Sequence, residues 1–348
     1  MSSKPAKKPD KVKLTDLSRL ERANSITKRQ LRQVLRDYHD LEENLRVFID
    51  EVGAIEPQAR VYLPTKKSET KVTAVGLWGD WHIGQEVSAD EVEGMNSYNF
   101  ERAELRMRKW CKSFLKWLEV QRQAYPIDSI HILGLGDFVN GMIHLENMIY
   151  DEFETPVAVV KAASLAAECL ATLAPHCKDL TASFITTDNH SRLTQKTMMT
   201  GRGKWSFGYL FNALLGAYIR DHKNIHFESQ PVIKLVVPIA GKNFLVEHGN
   251  DVRAWMGIPF YSIERLRQRE VERRAAQSMP NIDYLVLGHF HTYATWKGVI
   301  MNGALCGTTP YDHAAARHAW PSQVGFLVHP EHGLFNFTPF QLEADRHD

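Results

Sequence analysis

Five times along this chain an apolar run ends abruptly in Asp, Asn or His. Val72–Leu77 leads into Gly79-Asp80-Trp81-His82, and Ser129–Leu135 leads into Gly136-Asp137. Leu180–Thr186 leads into Asp188-Asn189-His190, and Asn243–Glu247 into His248-Gly249. Tyr284–Leu287 leads into Gly288-His289-Phe290-His291. Short apolar runs bounded by such residues read as buried strands. Polar side chains just past the carboxyl ends of strands are where α/β sheets build their sites. The two histidines at 289 and 291 stand at i and i+2, the spacing of side chains that share one face of extended backbone.

Helical patterns separate these strands. Phe100–Val120 carries Leu105, Trp110, Phe114, Trp117 and Leu118 on one broad face, Val157–Leu173 is rich in Ala, and Trp205–Ile219 is the third. Later strands come closer together, at Val232–Val237, Asn243–Glu247 and from Val299 to about Phe337. Strands alternating with helices and then pairing predict an α/β fold of stacked sheets between helices.

A chain of 348 residues with 44% hydrophobic content can bury a large core without covalent staples. Cys111, Cys169, Cys177 and Cys306 lie far apart with no CxxC pair, so neither a disulfide framework nor structural zinc is expected. No apolar run follows the opening Met-Ser-Ser-Lys, and no uninterrupted apolar stretch nears the roughly 18 residues of a membrane span. The expectation is a cytoplasmic protein with no membrane contact. The net charge of +1 is uneven: residues 1–13 hold five lysines against one aspartate, so the rest is slightly acidic. Any nucleic-acid contact must then come from a local patch or from this tail.

Residues 1–13 read as a disordered basic tail, 14–55 as a helical segment, 56–70 as a linker and 71–340 as the catalytic domain. Within the helical segment, Leu31, Val34, Tyr38, Leu41, Leu45, Phe48 and Val52 form a heptad seam, and Thr27 with Gln30 suits a capping box. Three uses of the seam stand open. It pairs with another chain (a second copy or a partner protein), or it lies on the catalytic domain. As a third reading, Lys28, Arg29, Arg32 and Arg36 make it a DNA-reading helix.

In order and context the five motifs resemble those of calcineurin-like metallophosphoesterases, over about residues 71–325. The resemblance implies a four-layer sandwich, two stacked mixed sheets flanked by helices, with the N-terminal helix as an appendage. It implies two divalent metal ions, Mn2+ first, with Fe, Zn, Ni or Mg as alternatives. Asp80, His82 and His291 would hold one, Asn189, His248 and His289 the other, and Asp137 would bridge them. His190 would sit over the substrate and assist the leaving group, making Asp137 and His190 the central catalytic residues. Mixed imidazole and carboxylate donors suit first-row divalent metals.

The sequence departs from the family pattern in two places. Asp188 and Ser191 flank the Asn189-His190 pair where the family usually has Gly before it and an acidic residue after it, so either could support His190. Asn140-Gly141 stands where protein serine/threonine phosphatases carry an Arg that grips a phosphomonoester. Asn140, Arg192 and Arg202 are the candidate substrate contacts in its place, with Lys204 nearby. The segments His144–Thr155 and Asp251–Ala276 are the candidates for substrate selection. The second holds Arg253, Arg265, Arg267, Arg269, Arg273 and Arg274 with Trp255, Phe260 and Tyr261, and reads either as a base-stacking surface or as an amphipathic helix on the body.

The layout, including Tyr98-Asn99, also resembles phage-encoded relatives of DNA-repair nucleases, which would place the protein in host cytoplasm. The leading expectation is a phosphodiesterase or nuclease acting on DNA, RNA or nucleotides. The alternatives are a phosphomonoesterase on a metabolite or phosphoprotein, and a non-catalytic scaffold subunit of a DNA-processing complex.

Overall fold

A computed structural model describes residues 11–53, 67–252 and 259–343. The chain divides into two compact units, Met1–Pro64 and Thr65–Asp348.

The first unit is built on one helix, α1 (Lys11–Gly53). It starts earlier than the sequence suggests, so the end of the expected basic tail is helical; residues 1–10 lie outside the described residues. Thr27 is not a cap. It sits inside α1, and its Oγ1 donates to the Ala23 carbonyl at 2.9 Å, a back-bond open to a mid-helix threonine. The heptad spacing runs upstream through Thr27, Asn24, Leu20 and Leu17, and side chains from Thr15 to Asp50 are exposed. Of the expected linker, only residues 67–70 are described.

The second unit holds two mixed sheets. The first has the order β11-β10-β1-β2-β3-β4. Its strands are β1 (Thr73–Trp78), β2 (Ser129–Gly134), β3 (Asp179–Phe184), β4 (Ile225–Ser229), β10 (Ser322–His329) and β11 (Gly333–Gln341). Strands β1 to β4 run parallel, while β10 and β11 pair antiparallel at one edge. The second sheet, in the order β5-β6-β7-β9-β8, contains β5 (Leu235–Ile239), β6 (Lys242–Glu247), β7 (Tyr284–Leu287), β8 (Ala294–Trp296) and β9 (Val299–Met301). Here β6, β7 and β9 are parallel and the two edges antiparallel.

Alternation along the strands sorts side chains into layers. In β1, Val75 and Leu77 join Phe244 and Val246 of β6 and Val286 of β7 in one cluster between the sheets. Ala74 and Trp78 face the opposite way, onto α2 (Phe100–Gln121), α4 (Thr155–Leu173) and α5 (Phe207–Ile219). On the far side, Leu245, Leu285 and Leu287 pack with Ile263 of α6 (Phe260–Ala276). The result is helix, sheet, sheet, helix, the expected four layers. The helix Thr155–His176 is long and apolar enough to cross a membrane by length and composition, but Val159, Ala162, Ala166 and Leu170 are buried in the core. It packs on α2 and α5.

The Arg-rich segment resolves into the amphipathic helix α6. Glu270 and Arg274 are buried on it, and Glu270 takes Lys234 at 2.9 Å and Arg273 at 2.7 Å. Arg253 and Trp255 lie outside the described residues. Two short helices went unread in the sequence: α3 (Leu145–Tyr150) and α7 (Pro310–Ala314). The second stands where further strands were expected, started by a capping box of Thr309 and Asp312.

Candidate metal centre

The seven expected ligands lie past the ends of β1, β2, β3, β6 and β7. Adjacent parallel strands put these ends side by side within each sheet. The loops after β1 and β2 are zipped together: Asp80 N–H donates to the Gly136 carbonyl at 3.1 Å, and Trp81 and His82 donate to Asp137 at 2.8 and 3.0 Å. Five ligands have left-handed backbones, with φ of 53° at Asp80, 50° at His82, 50° at Asp137, 69° at His289 and 54° at His291. Such turns cost roughly 1 kcal/mol or more each for a residue with a Cβ. A Cβ on Gly288 would meet Asp80 Oδ2 at 2.7 Å, so the carboxylate needs glycine there.

The ring nitrogens divide into an outer and an inner set. His248 Nδ1 faces the Leu135 carbonyl at 2.8 Å, and His291 Nδ1 faces Asp312 Oδ2 at 3.1 Å. His82 Nδ1 faces Asn140 Oδ1 at 3.3 Å, and the Asn140 amide is set the right way round by donating to Asp151 Oδ1 at 2.7 Å. All these partners are acceptors, so each Nδ1 carries a proton and each Nε2 faces inward, where it offers a lone pair once deprotonated. His82 and His291 bring Nε2 atoms to 3.3 Å of each other. His248 Nε2 lies 2.9 Å from both Asn189 Oδ1 and Asp137 Oδ2.

Carboxylate oxygens and ring nitrogens thus converge; the backbone N–H groups of His190 and His289 donate to Asp137 and Asp80, and positive charge has to balance the rest. Protons do so in the cation-free chain. Burial alone would lower His248, but the Asp137 carboxylate overrides it and pushes the imidazole up to about 10. Burial pushes Asp80 up to about 6 despite nearby His248 and His291. Metal-compatible groupings occur at Asp137, His248 and His289, at His82, Asp137 and His190, and at His82, His291 and Cys306. This donor set, imidazole and carboxylate from several strands, fits two first-row divalent cations. Asn189, His190, His289 and His291 are the partly exposed members, so the centre opens on that side.

His190 is supported by neither Asp188 nor Ser191. Its Nδ1 lies 2.6 Å from the backbone carbonyl of Asn140, which leaves Nε2 free. Asp188 instead accepts from Ser191 N–H at 2.6 Å, and burial pushes its carboxyl up to about 7. The Asn140 carbonyl reaches His190 because Gly141 follows it: φ there is +74°, and a Cβ would lie 1.8 Å from the His190 oxygen.

The three candidate substrate contacts are otherwise engaged. The Asn140 side chain is buried between His82 and Asp151. Arg202 pairs with Asp251 at 2.8 Å, and Arg192 bonds Thr197. Tyr98 hydroxyl donates to the Trp81 carbonyl, and Asn99 caps α2, so that stretch braces the β1 loop.

The sequence reading missed Asp312, Asp151 and Gln323. Gln323 grips both the N–H and the carbonyl of Gly79 at 3.0 Å, anchoring the β1 loop to β10. Asp312 fixes the tautomer of His291. Carboxylates in that position raise ligand basicity, so Asp312→Asn is expected to weaken one of two metal sites by about 10–100-fold. Equilibrium dialysis with elemental analysis reads this directly, and unchanged affinity at both sites would refute it.

No family model and no curated protein matches the chain. Among solved structures, it is similar to a conserved uncharacterized protein of Streptococcus pneumoniae TIGR4 described as a predicted phosphoesterase. The TM-score is 0.25 at 10% identity, over 51% of this chain and 90% of that one. It is also similar to a Staphylococcus aureus protein provisionally described as a 5'-nucleotidase and solved with alpha-ketoglutarate. There the TM-score is 0.31 at 11% identity, over 79% of this chain and 55% of that one.

Proposed function

We propose that the chain is a dinuclear-metal phosphodiesterase acting on nucleic acid or nucleotides. The carrying observation is the convergence of carboxylate, amide and imidazole donor atoms from five strand ends onto one opening. Asp80, His82 and His291 would hold one cation and Asn189, His248 and His289 the other, with Asp137 shared between the two groups. Two such cations supply Lewis-acid charge for a phosphate ester and a nucleophilic water at neutral pH. Mn2+ is the first choice, with Fe, Zn, Ni and Mg competing through availability.

The protein's own groups do the rest. His190, with Nδ1–H held by the Asn140 carbonyl, would present Nε2–H of its imidazolium form to the leaving oxygen, pass it that proton and be left as the neutral imidazole. The closed side of the site keeps water away from Asp80 and Asp137, both buried. A diester is favoured over a monoester because Arg192 and Arg202 are committed to other partners. A dianionic phosphomonoester would call for a free guanidinium clamp. Exposed Tyr150 on α3, Trp205 after β3 and Tyr311 on α7 offer stacking faces for bases on segments adjoining the ligand loops. The four free thiols fit a reducing compartment such as cytoplasm.

The test is a manganese-loaded substrate panel: bis(p-nitrophenyl) phosphate, p-nitrophenyl phosphate, single- and double-stranded DNA, RNA, cyclic nucleotides and a phosphopeptide. Diester turnover is expected to exceed monoester turnover. Metal stoichiometry near zero after loading, or no hydrolysis above an Asp137→Ala control, would sink the enzyme reading. A faster monoester would overturn the diester assignment alone.

A further inference from the structure

The loop between β9 and α7 carries a buried thiol into the metal centre. Cys306 is fully buried, and its Sγ and the ligand nitrogens of His82 and His291 all lie within 4.8 Å of one another. That spacing is close to what donors on one cation require, since metal–nitrogen and metal–sulfur bonds are about 2.0–2.3 Å. The sulfur's own hydrogen bond is long, 3.6 Å to the carbonyl of the next residue, Gly307.

The loop's position is heavily specified. Leu305 N–H donates to the Asp80 carbonyl at 2.9 Å, tying the loop to the first ligand. Arg106, itself buried, donates to the Leu305 and Cys306 carbonyls, both at 2.9 Å. Asn96 donates to the Cys306 and Thr308 carbonyls at 2.8 and 2.7 Å, and its Oδ1 accepts from Arg106 at 2.8 Å. A buried guanidinium is expensive unless fully bonded. Here two polar side chains are buried to hold the backbone at one cysteine. Packing alone would not call for this, because a small buried hydrophobe tolerates slack.

We propose that Cys306 Sγ is a fourth protein ligand of the cation held by Asp80, His82 and His291. The proposal rests on the dinuclear reading above and makes the two half-sites chemically unequal. Binding exchanges the thiol proton, released to solvent, for a metal–sulfur bond. One half-site is then nitrogen, oxygen and sulfur, the other nitrogen and oxygen only. Sulfur donors favour Zn2+, Co2+ or Fe2+ over Mn2+ and Mg2+, so the protein selects a softer metal in the first position and leaves the second to a harder one.

Two measurements test this on the full chain. In the cobalt-loaded wild type, a sulfur-to-cobalt charge-transfer band is expected in the near ultraviolet and should vanish in Cys306→Ser. Cys111, Cys169 and Cys177 belong to none of the metal-compatible groupings found among the described residues, so the band has one source. The serine variant should also lose about 10–100-fold in Zn2+ affinity at one site, with Mn2+ affected less. Zinc-edge X-ray absorption on wild type needs no variant and covers the case in which Cys306→Ser misfolds. A sulfur scatterer at about 2.3 Å is expected. Two bound metals with only nitrogen and oxygen neighbours would overturn the cysteine ligand and leave the phosphodiesterase reading standing. Failure to bind metal at all would overturn both.

Discussion

Asp137→Asn is expected to cut diester hydrolysis by at least about 10³-fold, or roughly 4 kcal/mol of transition-state stabilisation. The argument is positional. Asp137 Oδ2 lies 2.9 Å from His248 Nε2 and 3.9 Å from His82 Nε2, so one carboxylate reaches both half-sites. Its other oxygen accepts the His190 N–H at 3.1 Å, which sets the loop carrying the leaving-group histidine. Asparagine keeps the shape and removes the charge, so the lost rate reports on cation binding and bridging rather than on packing. Metal stoichiometry should fall below two in the same preparation. A variant that keeps two metals and wild-type turnover would remove Asp137 from the mechanism.

His190→Ala is expected to separate chemistry from metal binding. General acid assistance contributes about 10²–10⁴-fold, so kcat should fall by that factor on diesters with alkyl leaving groups such as DNA. On bis(p-nitrophenyl) phosphate the loss should be small, because nitrophenolate leaves without a proton. Stoichiometry should stay at two, since the seven ligands are untouched. Equal losses on both substrate types would show that His190 acts on something other than the leaving oxygen. The acid is the imidazolium, with Nδ1–H on the Asn140 carbonyl and the transferable proton on Nε2; burial lowers its pKa against the pull of Asp137, so the proton is readily given up and this contribution is lost as pH rises.

The candidate ligand set could be proposed from sequence because each motif is local. A strand and its terminal Asp or His lie within a few residues, and the strand's burial follows from composition alone. The support of those ligands was not readable, because it is assembled across the fold. Asp312 lies 21 residues beyond His291 in sequence but bonds its ring. Asn140 serves two histidines at once, with its amide on His82 and its carbonyl on His190. Sequence pattern offers Asp188 and Ser191 for that second task, since they are adjacent to His190, but the chain turns them away from its ring. A one-turn helix such as α7 has too little periodicity to be seen, though Thr309-x-x-Asp312 is a cap signature. Thr27 with Gln30 looks like a cap by residue type alone, but α1 begins at Lys11, three residues before the expected segment, and carries Thr27 in its interior. The composition of the Arg-rich α6 segment allows two readings, and the long-range bond from Lys234 to Glu270, which also takes Arg273, is what favours a helix packed on the body.

The left-handed backbones at Asp80, His82, Asp137, His289 and His291 have an evolutionary consequence. Each would relax with glycine, which adopts that conformation freely. A descendant freed from catalysis would therefore drift toward greater stability by losing these five side chains first. Their order of loss would be set by conformational strain as much as by the chemistry abandoned. Within such a lineage, glycine at these positions would mark the point where selection for hydrolysis ended, even while the sandwich itself persisted.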